Sequence, residues 1–492
     1  MATTPSFPTQ LYIAGRWCDA ESDEGLVVRN PATEQPIAEV HQASVTDVRR
    51  AVTAAREAFD VGPWPRMKPA ERAAVLLRLA DEIERRLPEL IAINMAEAGS
   101  VRRLAETLQT RVPLHHLRDM AERVMGEFAW TTPMAATPAP GVGISQGEIR
   151  REPFGVCALI SAYNFPFFLS MMKLIPALAA GCTAVLKPAP TTPLECLILG
   201  EFAEAAGLPP GVLNIVTGDI EAGHELTTNA MVDLVSFTGS DTVGRMVYTQ
   251  AAATMKKVVL ELGGKSASIV RADADLDAAA RAALVGITTH AGQGCSLLTR
   301  TIVHESVHDE LVERIRAGLA EVRVGDPANE TTTMGPLISA TQRDKVEKLI
   351  QVGTDEGARI VIGGGRPAGL DTGYFLEPTL FTEVDNAMTI AQTEFFGPVG
   401  VVIRYSTDDQ AIDIANDSPY GLAGAVFSAD TLTANDMAAR IRTGGVTING
   451  GSAGVNPRAA FGGYKQSGIG REWGTFGLDE FLQTKTVTWA AR

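Results

Sequence analysis

The stretch 155–161, GVCALIS, is a short apolar run that stops at a serine, and it sets the pattern for the hundred residues after it. TAVLKP (183–188), VLNIVTG (212–218) and LVSFTGS (234–240) repeat the pattern, each ending in a polar or Gly/Pro turn. Helical stretches separate them: LSMMKLIPALAAG, PLECLILGEFAEAAG and EAGHELTTNAM. Alternating strand and helix implies parallel βαβ units with right-handed crossovers. In such sheets ligands bind beyond the carboxyl ends of the strands. Asn164, Lys187 and the Gly239–Ser240 pair fall at those ends.

A second alternating set follows, with SASIV, TIVHE, RIVIGG, VGVVIRY and GAVFS as strands. DAAARAALVGITTHA and HDELVERIRAGLAEV are its helices. Two α/β domains are therefore expected, with ELGGKS (261–266) as the hinge. Upstream, residues 44–125 read as helices; SVTDVRRAVTAAREAF opens on a capping-type serine, and its apolar residues recur at helical spacing. Residues 126–152 and 478–492 fit neither pattern, and FLQTKTVTWAA reads as a last strand that adds to another sheet.

The 492 residues carry 43 Lys and Arg against 58 Asp and Glu, a net charge of −15. That balance argues against nucleic-acid binding, which needs clustered cations. The opening MATTPSFPTQLYIAGRW has no basic region followed by an apolar run, so no secretory signal is expected. The uncharged run between Glu152 and Lys173 is long enough to raise a membrane span, but Asn164, Pro166 and Ser170 make it strand, turn and helix. A cytoplasmic location follows, and the sequon at Asn329 then has no meaning. Five cysteines, an odd number without a CxxC pair, argue against a disulfide framework. Seven scattered histidines show no zinc spacing, so no metal is expected; adjacent His115 and His116 read as surface or packing residues.

Single motifs leave alternatives open. GVGISQG (141–147) follows no clear strand, and GGKS (263–266) fails as a P-loop because Val259 stands where the first glycine belongs. FTGSDTVG (237–244) ends a strand and begins a helix, either a phosphate-binding turn or a simple tight turn. By itself Lys187 reads as a solvated lysine, although a lysine there can reach ribose hydroxyls. Asn164 by itself reads as a turn cap, although its amide can serve an oxyanion. Cys295, in HAGQGCSLLTR (290–300), is on chemistry alone equally a nucleophile or a buried small residue. His290 lies five residues upstream as a potential dyad partner.

The motifs taken together are more specific. AYNFPF, VLKPAPTTP, FTGSDTVG, VVLELGGKS, AGQGCSLLTR, TEFFGPV and FGGYKQSGIGRE resemble those of the aldehyde dehydrogenase superfamily, in its hydrolytic, NAD(P)-dependent form. The resemblance runs from LYIAGRW near residue 11 to KTVTW near 489. It implies two doubly wound α/β domains and a small β oligomerisation arm. The dinucleotide domain would comprise 1–125 and 151–260, the catalytic domain 261–477, and the arm 126–150 with 478–492. A homodimer or homotetramer is expected, because unpaired arm strands would be an edge hazard in a monomer.

The resemblance makes Cys295 the nucleophile that forms a thiohemiacetal, and Asn164, with the Cys295 N–H, the oxyanion holder. Glu261 becomes the base that activates water to hydrolyse the thioester; Glu472 and Lys173 match proton-relay positions. Lys187 would bind the adenosine ribose, Gly239 and Ser240 would face the pyrophosphate, and Glu394 would hold the nicotinamide ribose with Phe396 nearby. Pro190 departs from the pattern: members selective for NAD commonly carry a glutamate there, which repels a 2′-phosphate. NAD is expected as cofactor, with NADP usable. Phe165, Phe168, Leu169, Met172, Ser296, Leu297, Val455 and Phe461 match the aldehyde tunnel. Their character favours an uncharged, medium-sized aliphatic, terpenoid or aromatic aldehyde, unless Arg458 turns inward to bind a carboxylate. The rivals are a CoA-acylating dehydrogenase, which typically lacks the Glu261 base, a thiolase-type acyltransferase without nicotinamide, and a non-catalytic protein that kept the fold.

Overall fold

The computed structural model describes residues 7–141, 143–451 and 455–491. Five strands form the parallel centre of an eight-stranded sheet, in the order Leu213–Ile215, Thr183–Lys187, Val156–Ile160, Leu234–Thr238, Lys257–Glu261. The chain builds outward from Val156–Ile160 on one side, then returns to lay Leu234–Thr238 on the other. That reversal opens a crevice at the carboxyl ends of these two strands, where ligands of open α/β sheets sit. Leu11–Ile13 and Arg16–Cys18 extend one edge antiparallel, and Gly468–Ile469 closes the other against Leu260 and Glu261.

All five central strands are wholly or almost wholly buried, as expected of strands covered on both faces. Helix Pro166–Ala180 buries all fifteen of its residues, Lys173 included, and stops at Gly181 in the left-handed conformation, φ 95°. A helix apolar all round belongs inside a core or a membrane. Here it lies in the core beside the first sheet, following strand and turn as the sequence indicated. Among the described residues, no helix is long and apolar enough to cross a membrane.

The second sheet has seven strands, with Ala267–Val270 paired in parallel to Arg300–His304 on one side and Ala423–Phe427 on the other. It repeats the outward-and-return winding, and Gly445–Ile448 forms one of its edges. The chain crosses from the first sheet to the second within residues 262–266, where the sequence suggested a hinge. A third, antiparallel sheet joins Thr131–Ala139, Gly143–Pro153 and the last strand, Leu482–Ala491.

Residues 45–127 are helical, beginning with a capping box in which the Ser44 hydroxyl accepts from Asp47 N and the Asp47 carboxylate accepts from Ser44 N. Two π-helical segments, Ala105–Arg111 and Met120–Val124, interrupt the later turns. Such segments often mark functional positions, and the first carries Gln109 to the site described next.

Candidate active site

Cys295 lies in a turn between helix Leu276–Thr288 and strand Arg300–His304. The chain reaches it through His290 and Ala291, both at positive φ (49° and 52°), a conformation costly for non-glycine residues. Gly264 of the crossing segment packs against the Cys295 carbonyl so closely that any Cβ would collide with it. The Cys295 loop therefore sits directly on the chain that leaves Glu261.

Cys295 is partly exposed. Burial of its sulfur, and next the carboxylates of Glu261 and Glu394, push its thiol above the ordinary range. The His290 dyad considered from the sequence does not form. The His290 ring is buried, held neutral with its pKa lowered to about 4 by desolvation, and packed against Phe165 at 5.5 Å between centroids. Neither of its ring nitrogens has a hydrogen-bond partner among the described residues.

Asn164 corrects the cap reading. It is buried, and its Nδ2 donates to the Gln293 carbonyl at 2.9 Å, two residues before Cys295. An amide nitrogen carries two N–H groups, so one stays free for a ligand. Gln109 Nε2 donates to the Asn164 carbonyl at 3.0 Å, while Gln293 Oε1 accepts from Ile338 N at 3.0 Å. The sequence reading named neither glutamine. Gln293 lies inside the quoted cysteine motif, but Gln109 has no local signal.

Glu261 ends its strand buried, with neither carboxylate oxygen hydrogen-bonded among the described residues. Burial first, and then the nearby Glu472 carboxylate, raise its pKa well above the ordinary range; Lys173 opposes them. Lys173 Nζ donates to Glu472 Oε1 at 2.8 Å and to Ser236 Oγ at 3.2 Å. Gly462 leaves the space that Glu261 occupies: a Cβ there would lie 2.8 Å from Oε1. Phe461 and Glu472 exchange both backbone hydrogen bonds, at 3.0 and 2.7 Å.

Lys187 is buried rather than solvated, against its reading in isolation. Its Nζ has one long bond, to the Pro188 carbonyl at 3.4 Å, and burial lowers its pKa to about 8. A desolvated amine so weakly bound is suited to a polar ligand. Pro190 lies half-buried three residues on. Ser240 caps helix Asp241–Ala252, its hydroxyl accepting from Val243 N. Glu394 Oε1 accepts from Gly264 N at 3.0 Å, and desolvation raises its pKa to about 7. Phe396, at φ 53°, packs edge-on to Tyr163. Lys265, also absent from the sequence reading, is buried with its Nζ 4.5 Å from the Phe395 ring centroid; burial lowers its pKa to about 7.

A row of rings runs away from this centre. Phe165 meets Phe168 at 6.4 Å, Phe168 meets Trp473 at 6.2 Å, and Trp473 stacks on Phe461 at 4.5 Å. Leu169 and Met172 are buried on the same helix as Phe168. Ser296, Leu297, Phe461 and Trp473 line the largest described cavity, about 580 Å³. Val455 is 40% exposed and Arg458 is exposed. Trp473 was not anticipated; it holds φ 75°, where glycine would be expected.

A partly exposed cysteine, an asparagine amide fixed beside its loop and a buried unpaired carboxylate are the parts of covalent carbonyl chemistry. The aldehyde dehydrogenase family model matches residues 17–487, and the chain belongs to that family. Among solved structures, the aldehyde dehydrogenase of Mycobacterium tuberculosis complexed with NAD+ is 44% identical, covers 97% of both chains and superposes with TM-score 0.93. A cysteine-to-alanine variant of aldehyde dehydrogenase C from Pseudomonas syringae, complexed with NAD+ and octanal, is 39% identical; 98% of this chain and 97% of that one are covered, with TM-score 0.93. Geranial dehydrogenase of Castellaniella defragrans is 40% identical over 97% of this chain and 98% of its own.

Proposed function

We propose that this chain oxidises an uncharged, medium-sized apolar aldehyde to its carboxylic acid with reduction of NAD, NADP also being usable. The observation that carries the hydrolytic reading is Glu261, buried beside Cys295 with both carboxylate oxygens unpartnered. Cys295 Sγ bonds to the carbonyl carbon, the carbonyl π pair moves to the oxygen, and the thiol proton passes to solvent at this partly exposed turn. The developing oxyanion accepts from the free Asn164 N–H and the Cys295 backbone N–H. When bound, the nicotinamide supplies the acceptor for the hydride, which leaves a thioester. Glu261 takes a proton from water, which adds to the thioester carbon; the C–S bond breaks and the acid departs. The Lys173–Glu472 pair is placed to exchange that proton onward.

The dinucleotide is assigned to the crevice at the strand reversal, with Lys187 for the adenosine ribose and the Gly239–Ser240 helix start for the pyrophosphate. Glu394 and Phe396 would hold the nicotinamide end. The weakly bonded amine of Lys187 and the buried Thr238 hydroxyl before Gly239, which has no partner among the described residues, support that fit. Apart from Gly468–Ile469, which pairs in the first sheet, the sheet division supports a dinucleotide domain of 1–125 and 151–260 and a catalytic domain of 261–477. The three-stranded sheet of Thr131–Ala139, Gly143–Pro153 and Leu482–Ala491 supports an arm of 126–150 and 478–492 in a homodimer or homotetramer. Five unpaired cysteines accord with a cytoplasmic location.

The test is reduced-nicotinamide formation by the purified protein over short, long, terpenoid, aromatic and acidic aldehydes, with NAD or NADP and without CoA. Turnover of the apolar members supports the proposal, and Cys295→Ala should abolish it while cofactor still binds. Turnover only of acidic aldehydes would put Arg458 into substrate binding, and a strict need for CoA would remove Glu261 from its role.

A further inference from the structure

Beyond Trp473 the row of rings reaches a histidine. His116 meets Trp473 edge-on at 5.1 Å between centroids, and both line a recess of about 10 Å³ together with Met172, Ile175 and Pro176. This is roughly the room that one water-sized group needs. His116 Nε2 and Trp473 Nε1 are buried and have no hydrogen-bond partner among the described residues. The residues are 5% exposed each. Leaving such atoms unpaired costs free energy, so two in one recess call for a ligand. Asp119 also lines the recess, but both of its oxygens accept from Arg123, at 2.8 and 2.6 Å. Burial lowers the His116 pKa to about 4, against a hydrogen bond to the Val455 backbone that raises it, so its ring is neutral.

Trp473 also lines the large cavity that Ser296, next to Cys295, lines from another side. One side chain thus borders both that cavity and the recess. It holds a strained backbone, φ 75°, to do so. We propose that Trp473 and His116 form a recognition site for a hydroxyl group on the substrate, distal to its aldehyde; this rests on the aldehyde-oxidising reading above. Indole Nε1–H only donates, whereas neutral imidazole Nε2 accepts or donates according to tautomer. A hydroxyl satisfies either case: it accepts from Trp473 and donates to, or accepts from, His116. The substrate class is an apolar aldehyde with a hydroxyl at its far end.

The experiment compares ω-hydroxyaldehydes from 6-hydroxyhexanal to 12-hydroxydodecanal with unsubstituted aldehydes of the same length. At one length the hydroxyl form should have the higher kcat/KM, by about tenfold and mainly through KM. Trp473→Phe, which keeps a stacking ring on Phe461 but has no N–H, should erase that ratio. Calorimetric binding of the matching α,ω-diol against the 1-alkanol should show the same preference in the wild type and its loss in the variant, without turnover. Equal handling of both series, or a ratio unchanged by Trp473→Phe, overturns the inference and assigns the recess to a trapped water. Failure to oxidise any aldehyde sinks the functional reading instead; the diol titration still decides the recess.

Discussion

Lys173 and Glu472 form a fully enclosed ion pair at 2.8 Å, and the second carboxylate near them, Glu261, has no hydrogen-bond partner of its own among the described residues. One buried cation thus stands near two buried carboxylates. Two ionised carboxylates are disfavoured there, and Glu261, the one without the lysine contact, holds its proton more tightly.

The pH profile of turnover follows. Glu261 acts as a base only when ionised, and burial has moved its titration upward. The steady-state rate should therefore rise with pH through a range displaced upward from that of an ordinary carboxylate and level off once Glu261 has lost its proton. In Glu261→Gln a stopped-flow burst of reduced nicotinamide should survive while steady turnover falls by about 10²–10⁴-fold. An unaltered steady rate in that variant would show that another group activates water.

Removing one half of the ion pair strands the other. Lys173→Met should cost about 3–5 kcal/mol of stability because Glu472 is left buried and unpaired. Lys173→Met combined with Glu472→Gln should recover much of it. Denaturant unfolding of both variants provides the check, and equal losses would mean that packing, not charge, dominates.

In the proposed mechanism Asn164 offers its second N–H to the reacting oxygen. Asn164→Ala should lower kcat by about 10²–10³-fold while the affinity for NAD, read by fluorescence titration, stays near that of the wild type. Gln109→Ala, which frees the Asn164 carbonyl, should have a smaller effect in the same direction.

Cofactor choice should respond to Pro190, half-buried just past Lys187. Pro190→Glu introduces an acceptor for a ribose hydroxyl and a charge against a phosphate. The NAD over NADP ratio of kcat/KM should rise about tenfold or more. No change would place the adenosine ribose elsewhere.

Stability itself should depend on pH through Glu97. This carboxyl accepts from Leu194 N and Glu195 N at the start of helix Leu194–Ala206, yet burial pushes its pKa up to about 8. A folded-state pKa above the ordinary 4.5 means that the protonated form stabilises the fold. That contribution is complete below about pH 4.5 and is lost as pH rises through about 8. Melting temperature should fall across this window, and Glu97→Gln should flatten the slope.

Much of the scaffold was legible because it rests on local pattern. GVCALIS, TAVLKP and LVSFTGS became neighbouring strands of one sheet since short apolar runs between helices have few other ways to be buried. Their carboxyl ends placed Asn164, Lys187 and Gly239 near one crevice. What isolated residues hid was burial. Lys187 looked solvated and Asn164 looked like a cap, because desolvation and a partner 129 residues away are tertiary properties. The bends at His290, Ala291 and Trp473 had no forewarning either: positive φ is announced by glycine, and here the surrounding packing imposes it on larger residues. Gln109 reaches the site from a π-helical turn that no periodicity announces.

Phe461 and Glu472 are locked rung to rung by their exchanged backbone hydrogen bonds. One end of that rung carries a ring of the cavity wall, and the other carries the carboxylate proposed for the proton route. A lineage that drifts toward a new substrate by repacking Phe461 therefore also disturbs the acid–base balance beside Glu261. Changes in diet and changes in pH optimum would be inherited together in this enzyme, and a selection for either should bring up compensating substitutions in the other.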